Sequence, residues 1–173
     1  VLITEHGYPP GKDQSATSGR FCVQFMSFTR GAGERVRSWW EERCIEWCYA
    51  RLENGRFGDQ KYLDDWPERF SGEVHVLSQF GFAMAPWNIA RFFPGDPVFY
   101  HFHGLRLLRG GWVSLVSRYP LSAQVRSTLY EPYLREFAAA LARLRTVGWS
   151  APPQDRRLVW QCVGRSFVEG LRY

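Results

Sequence analysis

Residues 34–52 constrain the fold more than any other stretch. Apolar side chains recur there at three- and four-residue steps, at Val36, Trp39, Trp40, Cys44, Ile45, Cys48 and Leu52. Such a period gathers them on one helical face, so the spacing predicts a helix that starts in "GAGERV", runs to about Leu52 and is ended by the glycines of "NGRFG". A helix with one apolar face needs a surface to bury it against. The sequence supplies short β-rich runs: "VLIT" at 1–4, "FCVQFMSF" at 21–28, "EVHVL" at 73–77 and "PVFYHFHG" at 97–104, closed by Gly104. Between the first two, "EHGYPPGKDQSATSGR" has the Gly, Pro, Ser and Asp content of a loop. Residues 59–66 read as a short helix stopped by Pro67, and "APWNIARFF" as a turn followed by an extended segment. Two helices are expected near 122–147 and 154–170, separated by "GWSAPP". Helices and strands are interspersed, which predicts an α/β domain over 1–120 with a helical extension over 121–173 packed on it.

The 173 residues suffice for a hydrophobic core, and 45% hydrophobic with 23% charged residues is globular composition. No stretch is long and apolar enough to span a bilayer, and no secretory leader pattern is present. Cys22, Cys44, Cys48 and Cys162 have neither zinc-site nor disulfide-framework spacing, so reduced thiols in a cytoplasmic protein are expected. The chain opens on Val1 inside an apolar run, which reads as a strand entered midway, with an N-terminal part expected upstream.

Charge is unevenly spread. Residues 1–104 carry 11 basic against 13 acidic side chains, a net of −2, whereas residues 105–173 carry 11 against 4, a net of +7. A basic C-terminal third suits an anionic partner, such as the inner face of a membrane, or it is simply a solvated helical face. Base-reading motifs are absent, so nucleic acid is not an expected partner.

Several small constellations bear on chemistry. His101 and His103 flank Phe102 at a predicted strand end, where side chains two apart share a face and two imidazoles can converge on a metal. Ordinary local hydrogen bonding is the simpler reading. Cys44 and Cys48, four apart, either ligate a metal or pack as small hydrophobes in the helix stripe. Trp87 and Asn88 in "APWN" suit a sugar, by stacking and by hydroxyl recognition, or else a core Trp in a tight turn. Phosphate-binding loops, dinucleotide fingerprints, serine-nucleophile elbows and HExxH are absent. In "FGDQKYLDDWPERF", Asp59 and Gln60 follow Gly58 directly, where they either face a ligand from a glycine turn or open a short amphipathic helix.

The segments "VLITEHGYPP", "RFCVQFMSF", "SWWEERCIEWCYARLENGRFGDQKYLDDWPERF", "APWNIAR" and "FYHFHG" occur in an order that resembles a bacterial glycosyltransferase family with a nucleotide-diphospho-sugar (GT-A) fold, and more distantly the glycogenin-like transferases. "YEPYLREFAAAL" resembles that family's C-terminal helix. The resemblance implies the C-terminal part of a GT-A domain. It would act with a nucleotide-diphosphate sugar donor, a glycan or lipid-linked acceptor and a divalent metal, manganese or magnesium. Asp59 and Gln60 match the Asp-Gln pair beside the donor sugar, implying a catalytic role. His101 matches the metal-binding histidine of a His-x-x-Gly motif, whose Gly104 lets backbone approach the phosphates, with Arg106 nearby. Trp87 and Asn88 would bind substrate. Cys22, Gln24 and Ala83 depart from the family pattern and point to an alternative, a non-catalytic GT-A-like binding or scaffold module.

Overall fold

The computed structural model describes residues 1–77, 81–95, 97–107, 113–115 and 119–149. The chain divides into two compact units, Val1–His101 and a second beginning at Phe102. The predicted helix at 154–170 lies outside the described residues.

The first unit is built on a three-stranded sheet. Strand β1 (Leu2–Glu5) is central. After a short turn of helix, α1 (Ser15–Ser18), strand β2 (Phe21–Ser27) pairs with it antiparallel, and the register shifts between Ile3 and Thr4. Helix α2 (Glu34–Glu46) follows, then a 3-10 helix (Lys61–Asp65) and α3 (Trp66–Arg69). Strand β3 (His75–Leu77) returns parallel to β1 on its other edge. The core consists of Ile3, Phe21, Val36, Leu63, Trp66 and Phe70, all at most 3% exposed, with Trp39 and Trp40 packed against it.

Glu34 in the first turn of α2 and Arg43 in its last suit the helix dipole. Gly33 is required at the start, because a Cβ there would lie 2.8 Å from the Thr29 carbonyl oxygen. The helix is shorter than its periodicity predicts. It stops at Glu46 because Trp47 turns extended (φ −159°, ψ 120°) and buries its own indole, 6% exposed. Ile45 is consequently 79% exposed and Leu52 53% exposed, so the C-terminal part of the expected stripe faces outward. Pro67 also departs from expectation. It sits in the first turn of α3, where its missing N–H costs no helical bond, so it opens a helix rather than stopping one.

Guanidinium groups cover several aromatic rings: Arg69 over Trp39 at 4.6 Å, Arg56 over Trp47 at 4.8 Å and Arg35 over Phe70 at 5.0 Å. Further on, β4 (Ala83–Met84) pairs parallel with β5 (Phe99–Tyr100), and α4 (Ile89–Phe92) lies in the connection, where an extended segment was expected.

In the second unit β6 (Arg106–Leu107) pairs antiparallel with β7 (Val113–Ser114). A continuous helical stretch begins at α5 (Ala123–Val125), passes through a π turn at Arg126–Tyr130 and ends as α6 (Glu131–Thr146). The Ser122 hydroxyl caps it by accepting from the Val125 N–H at 3.1 Å. Pro132, in the first turn of α6, cannot donate to the preceding turn, which accounts for the wider π winding just before it. The described residues are thus mixed α/β, and none of their helices is long and apolar enough to cross a membrane.

Candidate functional site

The Asp59–Gln60 turn is shaped by its neighbours. Gly58 has φ +55°, the left-handed region, which a side chain would strain. Its N–H donates to the Tyr49 carbonyl at 2.9 Å. The Asp59 carbonyl accepts from Trp40 Nε1 at 2.9 Å, tying the turn to α2. The Asp59 side chain is half-buried, and its carboxylate makes no hydrogen bond or ion pair with another described residue. It does not cap the 3-10 helix, whose cap position is Gln60. Its charge falls near two thiols. Burial first, with Asp59 adding to it, pushes both Cys22 and Cys44 up to about 12.

Gln60 is placed differently from the expectation. Its Nε2 donates to the Ser18 carbonyl at 2.7 Å, bracing the 3-10 helix against the loop before β2. That bond commits one of the two amide protons to backbone. Lys61 reinforces the same brace, donating from Nζ to the Ser15 carbonyl at 2.8 Å and pairing with Asp64 at 2.7 Å.

Trp87 and Asn88 are corrected to interior roles. Asn88 is 2% exposed. Its Oδ1 accepts from the Ala85 N–H at 2.8 Å, and its Nδ2 donates to the carbonyls of His6 at 3.0 Å and Ala83 at 3.2 Å. Both amide protons are occupied, so no donor is left for a sugar hydroxyl. Trp87 is 7% exposed and its Nε1 donates to the same His6 carbonyl at 2.9 Å. Its indole packs against the rings of His6 at 5.5 Å and His101 at 5.6 Å, leaving little face for stacking on a ligand.

His101 lies just beyond β5 rather than within it, so the strand geometry on which the same-face pairing with His103 was expected does not extend to these residues. His101 is half-buried, and its backbone N–H donates to the Met84 carbonyl at 2.8 Å. His103, in the second unit, is exposed and sits in a turn with Gly104. Gly104 does need its lack of a side chain, with φ +82°. Arg106 is exposed at the start of β6 and donates to the neighbouring Leu105 carbonyl at 2.9 Å. Among the described residues no group of three or more His, Cys, Asp or Glu is arranged to hold a metal ion.

Sequence reasoning passed over His6. It is 3% exposed and stacks on Tyr8 at 4.7 Å. Burial lowers it to about 4, so the ring is neutral. The available signal was its position, immediately after a buried strand and before a Gly-Tyr-Pro turn. Beside it, Thr4, Gly7, Leu77, Ala83, Asn88 and Phe92 line a small depression with room of about water size.

No family model matches the chain, and no solved structure matches it. Two proteins of Bacillus subtilis (strain 168) are similar to it. The uncharacterized protein YfnD is 32% identical over 151 residues, covering 78% of this chain and 48% of YfnD. The uncharacterized protein YfnF is 34% identical over 103 residues, covering 52% of this chain and 34% of YfnF. The chain thus matches about half the length, or less, of these curated relatives.

Proposed function

We propose that this chain is part of a glycosyltransferase that moves a sugar from a nucleotide-diphosphate donor to a glycan or lipid-linked acceptor. The observation that carries the reading is the Asp59 carboxylate: it has no partner among the described residues and stands on a turn held by Gly58 and Trp40. A fixed carboxylate of this kind accepts hydrogen bonds from sugar hydroxyls and stabilises positive charge developing at the anomeric carbon. In this reading Gln60 is a positioning residue that holds the turn against Ser18. The reading includes a divalent cation, manganese or magnesium, for the donor diphosphate. His101 supplies a single nitrogen and the described residues form no ligand set, so no step is routed through the ion. Work at the cytoplasmic face of a membrane belongs to the same proposal, motivated by the basic residues after 105.

A non-catalytic binding module is the second reading, and one observation favours it. Gln24 and Ala83, two positions where the chain departs from the family pattern, meet: Gln24 Nε2 reaches the Ala83 carbonyl at 3.5 Å. The amide fills space that a smaller residue would leave open.

The experiment compares Asp59→Asn with wild type in the longest polypeptide that contains this chain, using a panel of nucleotide-diphosphate sugars with manganese. The expected result is a roughly hundredfold lower kcat/KM at unchanged melting temperature. Transfer undiminished in Asp59→Asn would refute the role of Asp59. Donor binding without turnover in wild type would favour the module.

A further inference from the structure

The apolar stripe of α6 becomes uncovered toward the C-terminal end of the helix. Leu134 is 4% exposed, Phe137 and Leu141 are half-buried, and Leu144 is 43% exposed. Two backbone bonds then close the helix. The Gly148 N–H donates to the Arg145 carbonyl at 3.1 Å, and the Trp149 N–H to the Leu144 carbonyl at 3.2 Å. This closure holds Val147, 78% exposed, and Trp149, 39% exposed, at the same helix end as Leu144. Arg143 and Arg145 flank Leu144 in the last turn, and both are exposed. In the first unit Arg20, Arg35, Arg37, Arg51 and Arg69 pair with carboxylates. Arg143 and Arg145 have no carboxylate partner among the described residues. Residues 137–149 contain no acid, and residues 137–173 carry six Arg against two acids. A cation near a helix C-terminus suits the dipole, and a contact between Trp149 and Leu144 would be usual for such a closure. Neither use covers the three apolar side chains.

We propose that the C-terminal end of α6 docks on an anionic lipid surface, with Leu144, Val147 and Trp149 entering the headgroup layer and Arg143 and Arg145 meeting its negative charge. Charge complementarity selects this occupant. An uncovered apolar cluster bordered by unpaired cations matches a surface that is negative outside and apolar beneath. Indole rings favour that boundary, and arginine stems lie along apolar surface while their heads stay in water. A mixed or acidic protein surface would leave the two guanidiniums without this match. Binding is reversible and salt-sensitive, because the helix end inserts only a few side chains. The inference rests on the membrane-face part of the function proposed above and is independent of sugar transfer.

The test is flotation of the full chain with vesicles of phosphatidylcholine alone or mixed with phosphatidylserine, at low and high salt. No donor sugar is present, so the result is separate from that of the transfer assay. Wild type should float with the phosphatidylserine vesicles, stay behind with pure phosphatidylcholine, and be released by salt. The pair Arg143→Gln and Arg145→Gln should bind roughly 25-fold more weakly, at about fivefold for each charge. Trp149→Ser should lose about tenfold, with the salt dependence retained. Melting temperatures close to wild type would show that both variants fold, and glutamine keeps the helix propensity of arginine. Three results would each overturn the proposal. Wild type stays off the phosphatidylserine vesicles, which returns the patch to packing within the protein. Both folded variants bind as wild type does, which puts the lipid contact elsewhere. Wild type self-associates without vesicles and Trp149→Ser does not, which makes the patch an interface between copies.

Discussion

Replacing Asn88 by alanine should destabilise the protein without any ligand present. The side chain is 2% exposed and makes three hydrogen bonds, at 2.8, 3.0 and 3.2 Å. Their loss is not uniform. The His6 carbonyl keeps Trp87 Nε1 at 2.9 Å, and the Ala83 carbonyl keeps a long contact from Gln24 at 3.5 Å. The Ala85 N–H loses its side-chain acceptor inside the protein, and an orphaned buried donor costs about 1–3 kcal/mol. Two lost donor bonds add about 1 kcal/mol each at most. The sum is on the order of 3 kcal/mol, or a melting temperature roughly 6–12 °C lower for a chain of this size. Asn88→Asp is the sharper probe, because it aims a carboxylate at the two carbonyls that the amide served. Burial among acceptors raises that carboxyl's pKa in the folded state above its unfolded value. The variant is therefore worst at neutral pH and recovers relative to wild type as pH falls and the group becomes a donor. Urea melts of wild type and both variants at pH 7 and 5 read this directly. A melting temperature for Asn88→Ala within a degree of wild type would refute the argument and return the amide to the pool of ligand-binding groups.

His6 should make the fold acid-sensitive. Its folded pKa, about 4, lies below the ordinary 6.5, so the unfolded chain binds the extra proton and stability falls from pH 6.5 toward 4, by about 3 kcal/mol in all. The melting-temperature profile of His6→Gln should be flatter over that window. Trp66, fully buried, should cost roughly 3–5 kcal/mol when cut to alanine. Half-exposed Trp40 should cost less, and equal losses in urea melts would misplace the core. Gln60→Ala removes the 2.7 Å brace to Ser18 and should cost about 1 kcal/mol while speeding proteolysis within residues 12–20, with no gain of cutting elsewhere.

The first two strands were legible because they are short, β-rich and bounded by turn residues. The start of α2 was legible from periodicity. Its end was not, because a count of apolar positions cannot tell which of Trp47, Cys48 and Leu52 wins the interior. Trp47 took it by leaving the helix, which no local spacing announces. The strand "PVFYHFHG" shrank to two residues because its β propensity is realised only where Ala83–Met84 lies alongside to pair. At the candidate site, the glycine turn before Asp59 was readable from residue types alone. The uses of Gln60 and Asn88 were not, since their partners lie 42 and 82 residues away along the chain. An amide side chain looks the same in sequence whether it faces a sugar or a carbonyl.

Positive charge in this chain is almost wholly arginine, with twenty Arg against two Lys. Guanidinium groups placed over Trp39, Trp47 and Phe70 show one use of that choice, since a delocalised, weakly hydrated cation suits an aromatic face better than a strongly hydrated ammonium. The practical result is unusual chemical selectivity. Lys61 is tied to Ser15 and Asp64, so among lysines an amine-directed ester or cross-linker meets Lys12, exposed in the loop between the first two strands. That offers a single lysine attachment point for a dye or a surface without mutation. Dicarbonyl reagents that condense with guanidinium would do the reverse, lifting the covers off the aromatic rings and loosening the fold they shield.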